Sequence, residues 1–415
     1  MSRIDDLIAE HCPDGVEFKP LGDIAALVRG NGMPKSVLTD EGVGAIHYGQ
    51  IYTRYGVWTE TTLSYVAPET AARLATAEPG DIIITNTSEN IDDVCKAVAW
   101  LGSSPIVTGG HATIIRHSLD PKYLSYWFQS PGFAKQKRAL ATGTKVIDVS
   151  AKQLHKVRVP VPPLEVQREI VRILDKFTAL EAELEAELEA RRTQYAHYRD
   201  QLIQAADATA PLGLPIAELA GDGYFGDGDW VESKDQDPSG EVRLTQLADV
   251  GVGEFRDRSD RWMRQDQAAR LNCTLLKPGD ILIARMPSPL GRACQVPDGV
   301  GAAATVVDVA ILRSSRSDVV PRYVMHALNS HPVRKQMLAF QSGGTRQRIS
   351  RTNLGKILVP LPTLHEQRRI ASELDEFDAL VNDLSVGLPA ELAARRKQYE
   401  YYRDKLLTFK EAGRD

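Results

Sequence analysis

The chain repeats itself at a fixed offset of 200 residues. Ser150, Leu154, Lys156, Val159-Pro160-Val161-Pro162, Leu164, Gln167-Arg168, Ile170, Leu174-Asp175, Phe177 and Leu180 return as Ser350, Leu354, Lys356, Val359-Pro360-Leu361-Pro362, Leu364, Gln367-Arg368, Ile370, Leu374-Asp375, Phe377 and Leu380. Further on, Arg191-Arg192, Gln194-Tyr195, Tyr198-Arg199-Asp200 and Leu202 return as Arg395-Arg396, Gln398-Tyr399, Tyr402-Arg403-Asp404 and Leu406, now at an offset of 204. A fainter echo precedes each copy, Pro79-Gly80-Asp81-Ile82-Ile83-Ile84 against Pro278-Gly279-Asp280-Ile281-Leu282-Ile283. One ancestral unit has been doubled and has diverged. Two related surfaces on one chain suit a partner or substrate with two related halves.

The repeat divides the chain into a variable block (1–160), a helical block (161–206), a second variable block (207–360) and a second helical block (361–411). In the variable blocks, the β-branched runs Asp81 to Thr85, Thr113 to Ile115 and Asp280 to Ala284 read as strands between Gly/Pro turns. Pro121 to Phe128 and Pro321 to Leu328 read as helices opened by proline. In the helical blocks, Pro162-Pro163 and Pro362 mark the starts. Apolar residues then fall at Ile170, Ile173, Phe177, Leu180, Leu184, Leu188, Tyr195, Tyr198 and Leu202, mostly in steps of three and four, which is a coiled-coil seam. The second copy has Leu392 after Leu380, Leu384 and Leu388, a four-residue stutter that accounts for the changed offset. Gly387 and Pro389 should kink or interrupt the second helix. If the first helix leads from one variable block to the next, and the second packs back on it through the same seam, the pair is antiparallel. The expected fold is α+β: two mixed α/β domains separated by a long antiparallel two-helix coiled coil, with a pseudo-two-fold axis and heads at opposite ends of a rod.

Net charge is −5, which by itself argues against a nucleic-acid binder, but the charges are unevenly placed. No Asp or Glu occurs from Val319 to His365, where Arg322, Arg334, Lys335, Arg346, Arg348, Arg351 and Lys356 do. The matching window from Pro121 to Leu164 holds Lys122, Lys135, Lys137, Arg138, Lys145, Lys152, Lys156 and Arg158 against the single Asp148. A charge run is commonly just a solvated face; its recurrence at the same place in both copies points to phosphate binding. Four scattered cysteines, with no C-x-x-C pair, fit a reducing, cytoplasmic setting. Asp5, Asp6 and Glu10 in the N-terminal segment do not fit a secretory signal, and no run of 18 apolar residues suggests a membrane span.

Motifs of catalysis are missing. Gly143-Thr144-Lys145 lacks the spacing of a phosphate-binding loop, His365-Glu366 is not followed by a second histidine at helical spacing, and no G-x-S-x-G elbow occurs. The prolines at 160, 162 and 163 lie among aliphatics, unlike the Asn/Asp-Pro-Pro-aromatic motif of amino methyltransferases. His111, His117 and His326 read as structural, and Trp230 as a core residue. Neither a metal nor a cofactor is expected.

With the repeat, the Pro-Leu-x-x-Gln-Arg-x-Ile helix starts and the closing Arg-Arg-x-Gln-Tyr-x-x-Tyr-Arg-Asp elements in hand, the chain resembles the specificity subunits of type I restriction-modification systems. The resemblance extends to Gly228-Asp229-Trp230-Val231-Glu232-Ser233-Lys234-Asp235 and to Pro278 through Met286, which look like one common class of target-recognition domain. The leucine tetrads from Leu180 to Ala190 are similar to the four-residue repeats some members carry. The resemblance implies a noncatalytic subunit whose two variable blocks each read half of a bipartite, asymmetric site in double-stranded DNA, while the helices fix the spacer. It implies two copies of a modification subunit, carrying S-adenosylmethionine and adenine N6 methylation, and restriction subunits that translocate and cut. Partner docking would fall on Gln167, Arg168, Tyr195, Tyr198 and Arg199 in one copy and Gln367, Arg368, Tyr399, Tyr402 and Arg403 in the other.

For DNA, phosphate contacts are expected from the basic windows, through Lys135, Lys137, Arg138, Lys152, Arg334, Lys335 and Arg351. Base contacts are expected from Arg346, Gln347 and Arg348 beside Gly343-Gly344, with Arg285 and Arg292 after the strand end. In the first head the choices are Thr144 and Lys145 beside Gly143, with Asn86 and Ser88 placed like Arg285. Two other readings stay open, a coiled-coil scaffold whose heads bind protein and an anti-restriction mimic of DNA, although the acids are missing where a mimic needs them.

Overall fold

The computed structural model describes residues 3–209, 213–343, 347–382 and 387–413. The chain divides into two compact units, Met1–Ala182 with Ala394–Asp415, and Glu183–Ala393. Each unit combines one variable block with stretches of both helical regions.

In the first unit the run Ile82–Thr85 is buried along its whole length, which suits the middle of a sheet covered on both faces. It pairs antiparallel with Ala112–His117, Ile83 opposite Ile114, and with Ala97–Trp100, Ile83 opposite Val98. Ala25–Arg29 and Trp58–Thr59 complete the five-stranded sheet. The Pro79-Gly80-Asp81 turn feeds its middle strand. Gly80 has φ +96°, a conformation that suits glycine, and Asp81 Oδ2 accepts the Glu78 N–H at 2.8 Å. A second sheet runs in the order Ser64–Val66, Val43–Ile46, Ile106–Thr108 and Ala75–Ala77.

The second unit repeats this plan. Tyr224–Asp227, Val309–Arg313, Ile281–Ala284 and Ala293–Gln295 follow the order of Ala25–Arg29, Ala112–His117, Ile82–Thr85 and Ala97–Trp100. Asp280 again accepts the N–H three residues back, from Lys277 at 2.8 Å. The parallel pair Val43–Ile46 with Ile106–Thr108 has its counterpart in Val242–Thr245 with Ala303–Thr305. The faint echo in sequence is therefore one sheet topology used twice.

Two short helices follow each large sheet, Pro121–Trp127 and Pro131–Leu140 in the first unit and Pro321–Asn329 and His331–Ala339 in the second. Proline sits in the first turn of each, where its missing N–H leaves nothing unpaired. Asp120 and Ser130 accept the N–H groups of Tyr123 and Phe133 at 3.1 and 3.2 Å.

The conserved helices begin where the prolines predict, at Leu164 and Leu364, and their first turns lock onto the heads. Gln167 Oε1 accepts the Asp120 N–H at 2.9 Å while its Nε2 donates to the Pro162 carbonyl at 2.7 Å. Gln367 Oε1 accepts the Val320 N–H at 2.9 Å, and its Nε2 donates to the carbonyls of Pro362 and Asp318 at 2.8 and 2.9 Å. Two turns on, Asp175 takes Lys122 and the Tyr126 hydroxyl at 2.7 and 2.8 Å. Asp375 takes Arg322 and His326, both at 2.6 Å. Tyr123 and Tyr323 each donate a hydroxyl to the carbonyl of the matching proline, Pro160 and Pro360, at 3.1 and 2.9 Å.

Leu164–Thr209 is one helix of 46 residues. The second copy comes as Leu364–Asn382 and Gly387–Leu406, with Gly387 at φ +75°; residues 383–386, Leu384 among them, lie outside the described residues. In the first unit, Phe177 stacks on Tyr402 with ring centroids 5.3 Å apart, and Arg396 pairs with Glu181 at 2.6 Å. In the second, Tyr195 stacks on Phe377 at 5.7 Å and the Tyr198 hydroxyl donates to Glu373 at 2.8 Å. Within each unit rising numbers on one helix meet falling numbers on the other, so the stretches are antiparallel, as expected. The seam differs in one respect from a plain coiled coil. Leu180 and Leu380 remain 46% and 43% exposed, whereas Val166, Ile170, Leu174, Ile370 and Leu374 are buried in the head cores. Each conserved helix is a head component at its start and a coil component only later.

The glutamine lock yields a stability prediction. Gln367→Ala strands the buried Pro362 carbonyl and removes the bonds to Val320 and Asp318, and should cost about 1–3 kcal/mol, read as a lowered urea midpoint of the full-length chain. An unchanged midpoint would show that the lock does not hold the head.

Candidate nucleic-acid interface

The basic windows fold into the second head helix, a short hairpin and a one-turn helix, in both units. In the first unit the hairpin closes with Thr142 and Asp148 exchanging backbone hydrogen bonds at 2.9 and 2.8 Å, and Ile147–Asp148 pairs with Thr87–Ser88. Gly143 sits at φ +97°, and a Cβ there would collide with the Val146 carbonyl. In the second unit Ser342 and Arg348 exchange the same pair of bonds at 3.0 and 2.9 Å, and Gly343 has φ +102°. Thr144, Lys145, Lys152, Gln347, Arg348 and Arg351 are exposed on or beside these hairpins, as are Lys135, Arg138 and Lys335 on the helices before them; Ser88 is half-buried. Gln347 Oε1 accepts from Gln341 at 2.7 Å. Arg346 lies outside the described residues.

Asn86, Arg285, Arg292 and Lys137, expected at the DNA surface, do not join it: their side chains are buried and bonded inside the heads. Asn86 is buried; its Nδ2 donates to the Val149 carbonyl at 2.7 Å and its Oδ1 accepts from Thr113 at 2.8 Å. The backbone reciprocates, Val149 N–H to Asn86 carbonyl at 2.9 Å. Arg285 does the same work in the second unit. Its Nε donates to the Ile349 carbonyl at 3.2 Å, the Ile349 N–H returns a bond at 3.0 Å, and its guanidinium pairs with Asp227. Both residues staple the base of the hairpin to the end of the middle strand. Arg292 is buried and donates to the carbonyls of Val250, Leu247, Met286 and Pro289, and burial pulls its pKa below the usual value. Lys137 Nζ donates to the carbonyls of Asp92 and Val94 at 2.9 and 3.0 Å, and burial lowers its pKa too. A cation that serves buried carbonyls looks the same in sequence as one facing solvent.

The expected docking residues also separate. Gln167 and Gln367 face inward as locks, and Tyr195 is buried with its hydroxyl against His326 Nδ1 at 3.2 Å. These three have no side-chain surface to offer a partner. Arg168, Arg368, Tyr198 and Tyr402 are exposed, and the Tyr399 hydroxyl donates to Gln129 at 3.2 Å. Arg199 is buried and Arg403 half-buried. His326 is buried, and that burial holds its pKa below the ordinary imidazole value despite Asp375.

Sequence reasoning misplaced Trp230, which is 71% exposed rather than core. It also missed a hollow of about 420 Å³ beside the first hairpin, walled by Tyr48, Tyr52, Ser88, His111 and Val146. The Tyr48 and His111 rings lie 4.7 Å apart, and His111 Nδ1 is 2.9 Å from Thr87 Oγ1. No spacing signal links residues so far apart in the chain. Among the described residues no group of three His, Cys, Asp or Glu could hold a metal ion, and no helix is long and apolar enough to cross a membrane.

The sequence model of the type I restriction modification DNA specificity domain matches residues 13–190 and 271–394. The specificity subunit of the Escherichia coli type I restriction enzyme EcoR124I/EcoR124II is 33% identical over 266 residues, 61% of this chain and 63% of that one. The match thus spans less than two thirds of that relative's length. A putative type I restriction enzyme specificity subunit of Haemophilus influenzae is 28% identical over 418 residues, covering 95% of this chain and 96% of its own. A solved chain from a study of complex assembly and conformational transition of the type I restriction-modification system shares the fold at a TM-score of 0.59. Its identity is 20%, over 95% of this chain and 97% of that chain.

Arg285→Ala should lower stability by about 2 kcal/mol, since Asp227 loses its close partner, keeping only Arg351 at 4.0 Å, and the hairpin loses its anchor. Lys145→Ala, on the exposed tip, should stay within about 0.5 kcal/mol of the parent. Calorimetry that found the two variants equally stable would return Arg285 to the surface.

Proposed function

The chain belongs to the type I restriction-modification DNA specificity family, and from that premise we propose that it is a noncatalytic subunit that targets DNA for such a complex. Its variable blocks, 1–160 and 207–360, each read one half of a bipartite, asymmetric site in double-stranded DNA. The helical blocks, 161–206 and 361–411, set the spacer and dock two modification subunits. Those partners hold S-adenosylmethionine and receive the flipped adenine; restriction subunits add translocation and cleavage.

The observation that carries this reading is the exposed hairpin in each basic window, built on the same staple in both heads but differing in sequence beyond its glycine. A common frame supports a common mode of approach, and divergent tips support two different half-sites. Phosphates are met by Lys135, Arg138, Lys152, Lys335 and Arg351, which position the duplex without reading it. Bases are met by Ser88, Thr144 and Lys145 in one head and by Arg346, Gln347 and Arg348 in the other. Arg168, Arg368, Tyr198 and Tyr402 remain as the solvent-facing candidates for docking partners.

Two measurements test this. Methylome sequencing of the host with and without the gene should reveal one split adenine-methylated motif that disappears with the gene, and the purified chain alone should transfer no methyl groups; methylation by the isolated chain would refute the noncatalytic role. Inserting one Leu-Glu-Ala-Glu unit near Leu188 adds about 6 Å of helix, against ~3.4 Å per base pair. The spacer of the methylated motif should then grow by one or two base pairs, and an unaltered spacer would end the ruler proposal.

A further inference from the structure

In the first unit, Lys135, Arg138 and Arg403 line one open hollow of about 700 Å³ that has no carboxylate in its wall. Arg403 stands over the Tyr399 ring at 5.6 Å and forks onto its neighbour Asp404. Asp92 comes no nearer to Arg138 than 3.8 Å.

In the second unit, Arg199 holds the place of Arg403. It stands over the Tyr195 ring at 5.5 Å and is 6% exposed. The Nε atoms of Arg199 and Arg334 are both buried and have no hydrogen-bond partner among the described residues. Asp200 lies 3.5 Å from Arg199 Nε, but its Oδ1 also accepts the His331 N–H at 2.8 Å, where it holds the start of helix His331–Ala339. One carboxylate thus serves both a helix end and the Arg199 guanidinium. Burial, with Arg199 adding to it, pulls the pKa of Arg334 below its usual value. Two like charges desolvated together are unfavourable unless an anion joins them.

The two copies keep the charge while moving its bearer. Lys135 and Lys335 coincide in the repeat, but Arg334 stands where the first copy has Ala134, and Arg138 stands where the second has Leu338. Positions four apart are neighbours on one helix face. A side chain needed for packing would have stayed in register. What persists is a head cation beside the arginine of the Tyr-Arg-Asp element.

We propose that each unit carries a phosphate site at this place, formed by Lys135, Arg138 and Arg403 in one and by Arg199 and Arg334 in the other, and that each grips a phosphate of the DNA backbone. This rests on the DNA-targeting function proposed above, and it moves Arg199 and Arg403 from partner docking to the nucleic-acid surface. The head cations lie in the same basic windows of the sequence as the hairpins. The guanidinium fork matches a phosphate's oxygens in geometry and charge.

The test is the salt dependence of DNA binding by the full-length chain purified with its modification subunit, measured by anisotropy on a duplex containing the methylated motif and on a scrambled duplex. Each phosphate contact removed should flatten the slope of log K against log salt by about 1. Arg403→Gln, Lys135→Gln and Arg334→Gln should each do so on both duplexes, leaving the ratio between them intact, while Arg403→Lys keeps most of the slope. Arg369→Gln, which breaks an exposed helical ion pair, serves as the control. Slopes unchanged in variants that melt like the parent would overturn the proposal, as would loss of the modification subunit, seen by light scattering, at unchanged slope, because the arginines would then clamp a protein carboxylate. Should the Arg334 variant fail to fold, the half-buried Arg403, which lines the open hollow of the first unit, still decides. A parent complex that binds neither duplex would sink the targeting function itself, and this site with it.

Discussion

Each head is held by one side-chain amide. Gln167 and Gln367 sit one turn inside a repeated helix, buried, and each bonds backbone groups at the entrance of a head helix and at the proline turn. The Pro162 and Pro362 carbonyls there are buried, so the amide satisfies acceptors that would otherwise lack a partner. Asp175 and Asp375 repeat the attachment two turns later through charged partners. Amide and carboxylate together leave the head little freedom to turn about the helix axis. The outer face of each head is thereby fixed in the frame of its repeated helix.

The hairpin depends on a second attachment of the same kind. Val149 and Ile349 are each bound twice, once by the backbone and once by the side chain at the end of the middle strand. The middle strand is the most buried element of the sheet, so the hairpin base inherits its rigidity. Gly143 and Gly343 provide a left-handed residue just past the first bridge of each hairpin, and in the first head Thr144, Lys145 and Val146 beyond it face solvent. A rigid base with an exposed tip allows side chains there to change without disturbing the scaffold.

The architecture was legible in the sequence because it is written twice. The offset located the conserved helices, the prolines gave their first residues, and the Pro-Gly-Asp echo found the middle strand in both heads. Inward and outward cations could not be told apart. Lys137 and Lys135 are two residues apart in one basic run, yet Lys137 serves two buried carbonyls while Lys135 faces solvent. Repetition itself misled at Gln167 and Gln367, which recur because both heads need the same lock. Seam periodicity failed near Leu180 and Leu380, since the first turns of each helix answer to a head core. Tyr48 and His111 gave no signal because only the tertiary fold brings them together.

The divergence between the copies shows which constraint is the stricter one. Asn86 gives way to Arg285, Lys122 to Arg322 and Tyr126 to His326, yet each replacement reaches the same acceptor, respectively the carbonyl at 149/349 and the carboxylate at 175/375. Residue type has drifted while the bonded atom on the scaffold has not. A frame held by side chains aimed at fixed backbone and carboxylate oxygens accepts any donor of sufficient reach. One head can therefore change its chemistry while its geometry, and its bearing on the helices, stays the same.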